Sequence, residues 1–138
     1  MSRQNVEVVR QGFEAWNAGD MEAFRDLYAE DAIIVRFLEG WPEPGPFVGR
    51  DTIMRTFEQL RQTWDSDTLE IISSIDLGDR VLTRYLWRGV GHGPGLRLEA
   101  TILYTLRKGR AFLLEYFWDH ADALEALGLS EQDAHADS

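Results

Sequence analysis

The spacing of apolar residues changes near Thr68, and that change constrains the fold more than any other feature of the chain. Before it, apolar residues recur every three or four positions, as on one face of a helix; after it they alternate, as on a strand. Val6, Val9, Phe13 and Trp16 predict a helix over about residues 4–18. Asn17-Ala18-Gly19-Asp20 closes it, with Gly19 suited to the left-handed C-terminal position and Asp20 to capping a short second helix that carries Phe24, Leu27 and Tyr28. Asp31 to Leu38 is β-rich. The run Gly40 to Pro46 holds three prolines, which fix φ and remove donors, and so reads as a loop bearing Trp41. A third helix over about 50–64 presents Ile53, Phe57, Leu60 and Trp64 on one stripe.

Beyond Thr68, Leu69 to Leu77, Arg80 to Gly91, Leu96 to Arg107 and Ala111 to Trp118 read as strands, broken at glycine-containing turns. Arg107-Lys108-Gly109 suits a three-residue hairpin loop. Asp119 is expected to cap a short C-terminal helix ending at Leu127, and Ser130 to Ser138 reads as a polar tail expected to fray. The order predicts one α+β domain over residues 1–129. Three N-terminal helices would be enclosed by a curved, mainly antiparallel sheet, giving a cone with an apolar mouth.

Alternation assigns the faces. Phe112, Leu114, Tyr116 and Trp118 share the inner side with Leu96, Leu98, Ala100, Ile102, Tyr104, Thr83, Tyr85 and Trp87, a surface with hydroxyls but no carboxylate. The outer side mixes Arg84, Arg88, Arg97, Glu99, Thr101 and Glu115 with Leu82, Leu86, Val90, Leu103 and Phe117. A turn centred on Gly93-Pro94 sets Arg88 opposite Glu99. So apolar an exterior predicts a homodimer through the sheets.

Charge and composition narrow the partners. Twenty-four acidic residues against 14 basic ones give a net charge of −10, which disfavours nucleic acid and anionic membrane. The absence of cysteine excludes disulfides and thiolate chemistry. With no apolar signal region and no segment of spanning length, the expected compartment is the cytoplasm. His92, His120 and His135 have no metal-ligand spacing and are expected in solvent, and neither a nucleophile elbow nor a phosphate loop is present. No metal or cofactor is expected. Five tryptophans in so short a chain call for a core or a concave aromatic pocket.

The segments N-A-G-D-M-E-A-F-R-D-L-Y-A-E-D-A, F-V-G-R-D-T-I and Y-F-W-D-H-A-D-A-L-E-A-L-G-L resemble, in this order, the SnoaL-like branch of the nuclear transport factor 2-like superfamily. The resemblance runs from about Val6 to Leu129 and implies the cone fold. Activity does not follow from it, because related folds serve as ketosteroid isomerases, epoxide hydrolases, polyketide cyclases and binding proteins. By the same resemblance, the isomerase tyrosine falls on Phe13, its general base on Arg36, and its protonated aspartic acid on Ile102 or Leu103. The hydrolase carboxylates and their arginine fall on Tyr85, Trp87 and Tyr116, and its accompanying Tyr and Asn on Ile34 and Arg36. Both chemistries have lost their carboxylates.

The resemblance therefore implies that Arg36, Tyr85 and Tyr116, placed where relatives carry reactive groups, project into the cavity. The expected ligand-binding set is Phe13, Trp16, Arg36, Trp41, Phe57, Tyr85, Trp87, Ile102, Tyr104, Tyr116 and Trp118. One reading is a small-molecule-binding protein whose aromatic pocket takes an apolar or aromatic ligand bearing a carboxylate or carbonyl. The alternative is an isomerase, cyclase or dehydratase in which Arg36 and tyrosine hydroxyls stabilise an enolate. For Arg36 itself the competing role is a salt bridge to Glu39 or Glu43.

Overall fold

The computed structural model describes residues 2–37, 45–91 and 95–129. Helices α1 (Ser2–Ala18) and α2 (Met21–Asp26) are followed by strands β1 (Tyr28–Arg36) and β2 (Phe47–Val48) and then by helix α3 (Arg50–Gln62). Strands β3 (Ser66–Asp76), β4 (Arg80–Val90), β5 (Leu96–Arg107) and β6 (Arg110–Phe117) follow, then helix α4 (His120–Ala126). Among the described residues no helix is long and apolar enough to cross a membrane.

Local chemistry accounts for most boundaries. Gly19 takes φ +74° after α1, and the Asp20 carboxylate accepts from Ala23 N at 3.1 Å to cap α2. Asp119 caps α4 in the same way through Ala121 N at 2.9 Å. The β5–β6 hairpin is tighter than expected. Arg107 pairs with Arg110, and the two residues between them, Lys108 and Gly109, both have positive φ, which the type I′ turn requires.

The strands form one curved, unclosed sheet in the order β2-β1-β6-β5-β4-β3. All neighbours run antiparallel except β1 and β6. Three elements depart from the sequence expectation. β1 starts at Tyr28, because Tyr28 already pairs with Ala111 and Leu27 O accepts from Ala111 N at 2.8 Å. The two residues of β2 pair with Ile33 and Ile34 and are too few to show a period. β3 starts at Ser66, its polar first residues being held by pairing with Val90, Gly89 and Arg88.

Register corrects a further expectation. Arg88 lies opposite Arg97, and Glu99 lies opposite Leu86. The pairing centres one residue earlier than a turn on Gly93-Pro94 would place it. Glu99 therefore takes its hydrogen bond from Arg84 Nε, at 2.6 Å, on the diagonal.

The sheet buries its concave face and part of its outer one. Its concave side packs Val81, Tyr85, Trp87, Leu98, Ala100, Ile102, Tyr104, Leu114 and Tyr116 against Val9, Phe13, Trp16, Phe24, Ile53 and Phe57 of α1–α3. On the other side Ile75, Leu82, Leu103 and Phe117 lie under Ala123 and Leu124 of α4. Leu86 is buried as well, so of the five apolar residues expected to meet a second copy only Val90, 63% exposed, remains on the surface. The chain's own C-terminal helix covers Leu82, Leu103 and Phe117. Thr101, expected outward, is also sealed, with its hydroxyl 3.0 Å from His120 Nδ1. His120 is thus half-buried rather than solvated.

Candidate aromatic cavity

Because the concave strand faces and the helix stripes are both rich in rings, closing one over the other leaves an aromatic-walled space. The cavity admits the centre of a water-sized sphere over about 70 Å³, several times the roughly 10–15 Å³ that one enclosed water needs. Val8, Val9, Gly12, Phe13 and Trp16 line it from α1, and Phe57 and Leu60 from α3. Phe24, Leu27, Tyr28 and Phe37 close another side, and Leu69, Tyr85, Trp87, Ile102, Tyr104, Leu106, Ala111 and Tyr116 come from the sheet. Edge-to-face contacts hold the rings: Phe13 on Tyr85 at 5.8 Å, Trp16 on Phe57 at 5.9 Å and Phe37 on Tyr116 at 4.7 Å between centroids.

All four tyrosines of the chain, Tyr28, Tyr85, Tyr104 and Tyr116, meet at this wall. Burial pushes each phenol above its ordinary value, and for Tyr28, Tyr104 and Tyr116 neighbouring tyrosines add to the effect. They are neutral hydroxyls, each able to donate and to accept. Among the described residues no hydrogen bond joins a tyrosine hydroxyl to another protein group, and the sealed-off side-chain atom that lacks a partner is Arg50 Nε. The four oxygens therefore keep some contact with the cavity.

The structure brings Phe13, Trp16, Phe57, Tyr85, Trp87, Ile102, Tyr104 and Tyr116 of the expected set together on this wall. Arg36 is elsewhere. Two steps along β1, from Ile34 to Arg36, match one step along β6, from Leu114 to Glu115, and this irregularity breaks the alternation. Arg36 is exposed, its guanidinium 4.5 Å from the Phe117 ring centre and its Nε–H donating to Tyr116 O at 3.3 Å. Trp118 is 45% exposed; it lies one residue past β6, where alternation no longer governs direction. Trp41 falls outside the described residues, as do Glu39, Glu43, His92 and His135.

The inner side does carry a carboxylate. Asp67, on β3 in phase with Leu69 and Ile71, has a side chain only 3% exposed. Its Oδ2 accepts Trp16 Nε1–H at 2.7 Å and Trp87 Nε1–H at 2.8 Å, and its Oδ1 is 4.0 Å from Arg61 Nη1. Starting the strand at Leu69 hid it; counting back by two from Leu69 would have found it. Tyr28, Phe24 and Phe37 were missed for other reasons. From sequence, Phe24 and Tyr28 both read as part of the short second helix, whereas Tyr28 opens β1, and Phe37 lies one residue past β1. Among the described residues no cluster of three histidine or acidic side chains could hold a metal ion.

Comparison with known proteins agrees with this architecture. Bal32a from a soil-derived mobile gene cassette superposes with a TM-score of 0.77 at 23% identity, over 91% of this chain and 96% of that one. A putative polyketide cyclase from Sinorhizobium meliloti gives 0.65 at 25% identity, over 80% and 93%. RV0760c from Mycobacterium tuberculosis, in complex with estradiol-17beta-hemisuccinate, gives 0.73 at 14% identity, over 85% and 95%. No curated protein sequence matches the chain. The family model for the SnoaL-like domain matches residues 9–114. With that match over most of its length and a curved sheet closed over three helices, the chain belongs to the SnoaL-like domain family and has the nuclear transport factor 2-like cone fold.

Proposed function

We propose that the protein binds a small, uncharged apolar or aromatic molecule in this cavity, one carrying a carbonyl or hydroxyl oxygen. The observation that carries the reading is the convergence of four neutral tyrosine hydroxyls, without hydrogen-bond partners among the described residues, on an otherwise apolar wall. A ring system would replace water against the aromatic side chains, and its oxygen would meet a phenol. The complex of RV0760c with estradiol-17beta-hemisuccinate supports small-molecule binding on a related fold, although its hemisuccinate carboxylate sets that ligand apart from the uncharged one proposed here. With Arg36 outside the cavity, the wall offers no cation to a ligand carboxylate among the described residues. The enolate-stabilising alternative loses its arginine for the same reason.

Titration with 2-naphthol and with 2-naphthoate, followed by tryptophan fluorescence, tests the proposal. Naphthol is expected to bind at least about tenfold more tightly than the carboxylate. Tyr85→Phe or Tyr116→Phe should weaken naphthol by roughly fivefold, the value of one net hydrogen bond of about 1 kcal/mol. Tighter binding of the naphthoate, or naphthol affinity indifferent to every tyrosine, would refute the reading.

A further inference from the structure

We propose that Asp67 is the positioning residue of the cavity: one of its carboxylate oxygens holds both indole N–H groups and thereby fixes the two tryptophans that shape the wall. The specificity this implies rests on the ligand-binding reading above; the positioning itself does not. Four elements meet here. Trp16 comes from α1, Arg61 from α3, Asp67 from β3 and Trp87 from β4. A buried carboxylate is kept only where hydrogen bonds and charge replace its water. Oδ2 receives both indoles, at 2.7 and 2.8 Å, and the Arg61 guanidinium faces Oδ1 at 4.0 Å.

The same arginine completes the clamp on Trp16. Its Nη1 donates to Trp16 O at 2.8 Å, and its guanidinium carbon stands 4.6 Å over the indole ring. Trp16 is thus held at its N–H edge by Asp67 and on one face by Arg61, while Phe24 and Phe57 pack edge-on against it. An indole has two side-chain torsions, so fixing its N–H fixes which way the ring lies. If either ring turned over, its N–H would leave Asp67 and its six-membered ring would move to a different part of the wall. Asp67 therefore selects one cavity shape.

The nearby clasp between α1 and β3 provides a control that touches no indole. Asn17 donates from Nδ2 to Leu69 O at 2.8 Å and accepts from Leu69 N at 2.7 Å. Asn17→Ala loosens the same helix–strand junction while leaving the carboxylate in place. The indole N–H signals of Trp16 and Trp87 can be followed by heteronuclear NMR in ligand-free protein, assigned through Trp16→Phe and Trp87→Phe. Both should exchange with deuterium at least about tenfold faster in Asp67→Ala. In Asp67→Asn both should shift together yet stay protected, because the amide oxygen still accepts two donors.

Binding of 2-naphthol should weaken at least about tenfold in Asp67→Ala and stay within about threefold in Asp67→Asn and Asn17→Ala. Should Asp67→Ala fail to fold, the concerted shift of the two N–H signals in Asp67→Asn carries the test. Unchanged indole protection in Asp67→Ala, or a shift of only one indole in Asp67→Asn, overturns the proposal. So does an Asn17→Ala variant that loses naphthol as severely as Asp67→Ala, since Asp67 would then only dock α1. If indole protection depends on Asp67 while the wild-type protein ignores naphthol, the positioning role stands and the ligand-binding reading fails.

Discussion

At the scale of the residue, the tyrosines make the sharpest statement. The ordinary phenol value is 10.0, and burial raises all four above it. A folded-state value raised above the unfolded one gives stability that is complete below pH about 10 and lost as pH rises toward the folded values. Native protein at pH about 10.5 should therefore show little tyrosinate absorbance, while the guanidinium-unfolded chain shows more than half. A native titration centred near 10 would mean that the hydroxyls are hydrated. Arg36 illustrates the opposite case. Since it stacks on Phe117 outside the cavity, Arg36→Met should leave naphthol affinity within about twofold and cost about 0.5–1 kcal/mol in urea unfolding. Loss of ligand affinity in that variant would restore a pocket role.

At the scale of the element, what matters is how helix and strand backbones approach. Trp64, just past α3, lies flat against β4 where Gly89 offers no side chain: a Cβ there would sit 2.8 Å from the Trp64 ring. Asp65 N donates to Val90 O at 2.7 Å beside it, tying the end of the helix to the strand. Gly89→Ala should therefore destabilise by roughly 1–3 kcal/mol through overpacking, read as a lower urea midpoint with unchanged slope. A neutral result would show that Trp64 can swing aside. Helix positions and β4–β6 were legible from periodicity, because each spans enough residues to repeat. β2 and the first residues of β3 were not, since pairing rather than burial of a repeating apolar face holds them.

At the scale of the whole molecule, the sheet separates two cores, and α4 decides the fate of the outer one. Leu124 is 2% exposed and caps Leu82, Leu103 and Phe117. Leu124→Ala should cost about 2–5 kcal/mol and increase binding of a hydrophobic dye, because the outer sheet face then loses its cover. Equal stability and dye binding would mean that α4 is not what shields that face. An apolar outer face can be covered by a second copy or by the chain's own next element, and the alternation pattern is the same in both cases. The strand residues alone therefore do not distinguish the two, and in this chain α4 covers Leu82, Leu103 and Phe117.

The sequence by itself determined the helix-then-strand order, the caps at Asp20 and Asp119, and which side of β4 and β5 is aromatic. These are local properties, set by torsional preference and by residues two, three or four positions apart. Only the tertiary structure decided the rest. The direction of Arg36 turns on an irregular step between β1 and β6, strands about eighty residues apart in the chain. The partner of Glu99 turns on a one-residue shift of a hairpin centre. The role of Asp67 exists only where α1, α3, β3 and β4 meet, for a carboxylate becomes a clamp only when folding removes its water and brings it two indole N–H donors and an arginine.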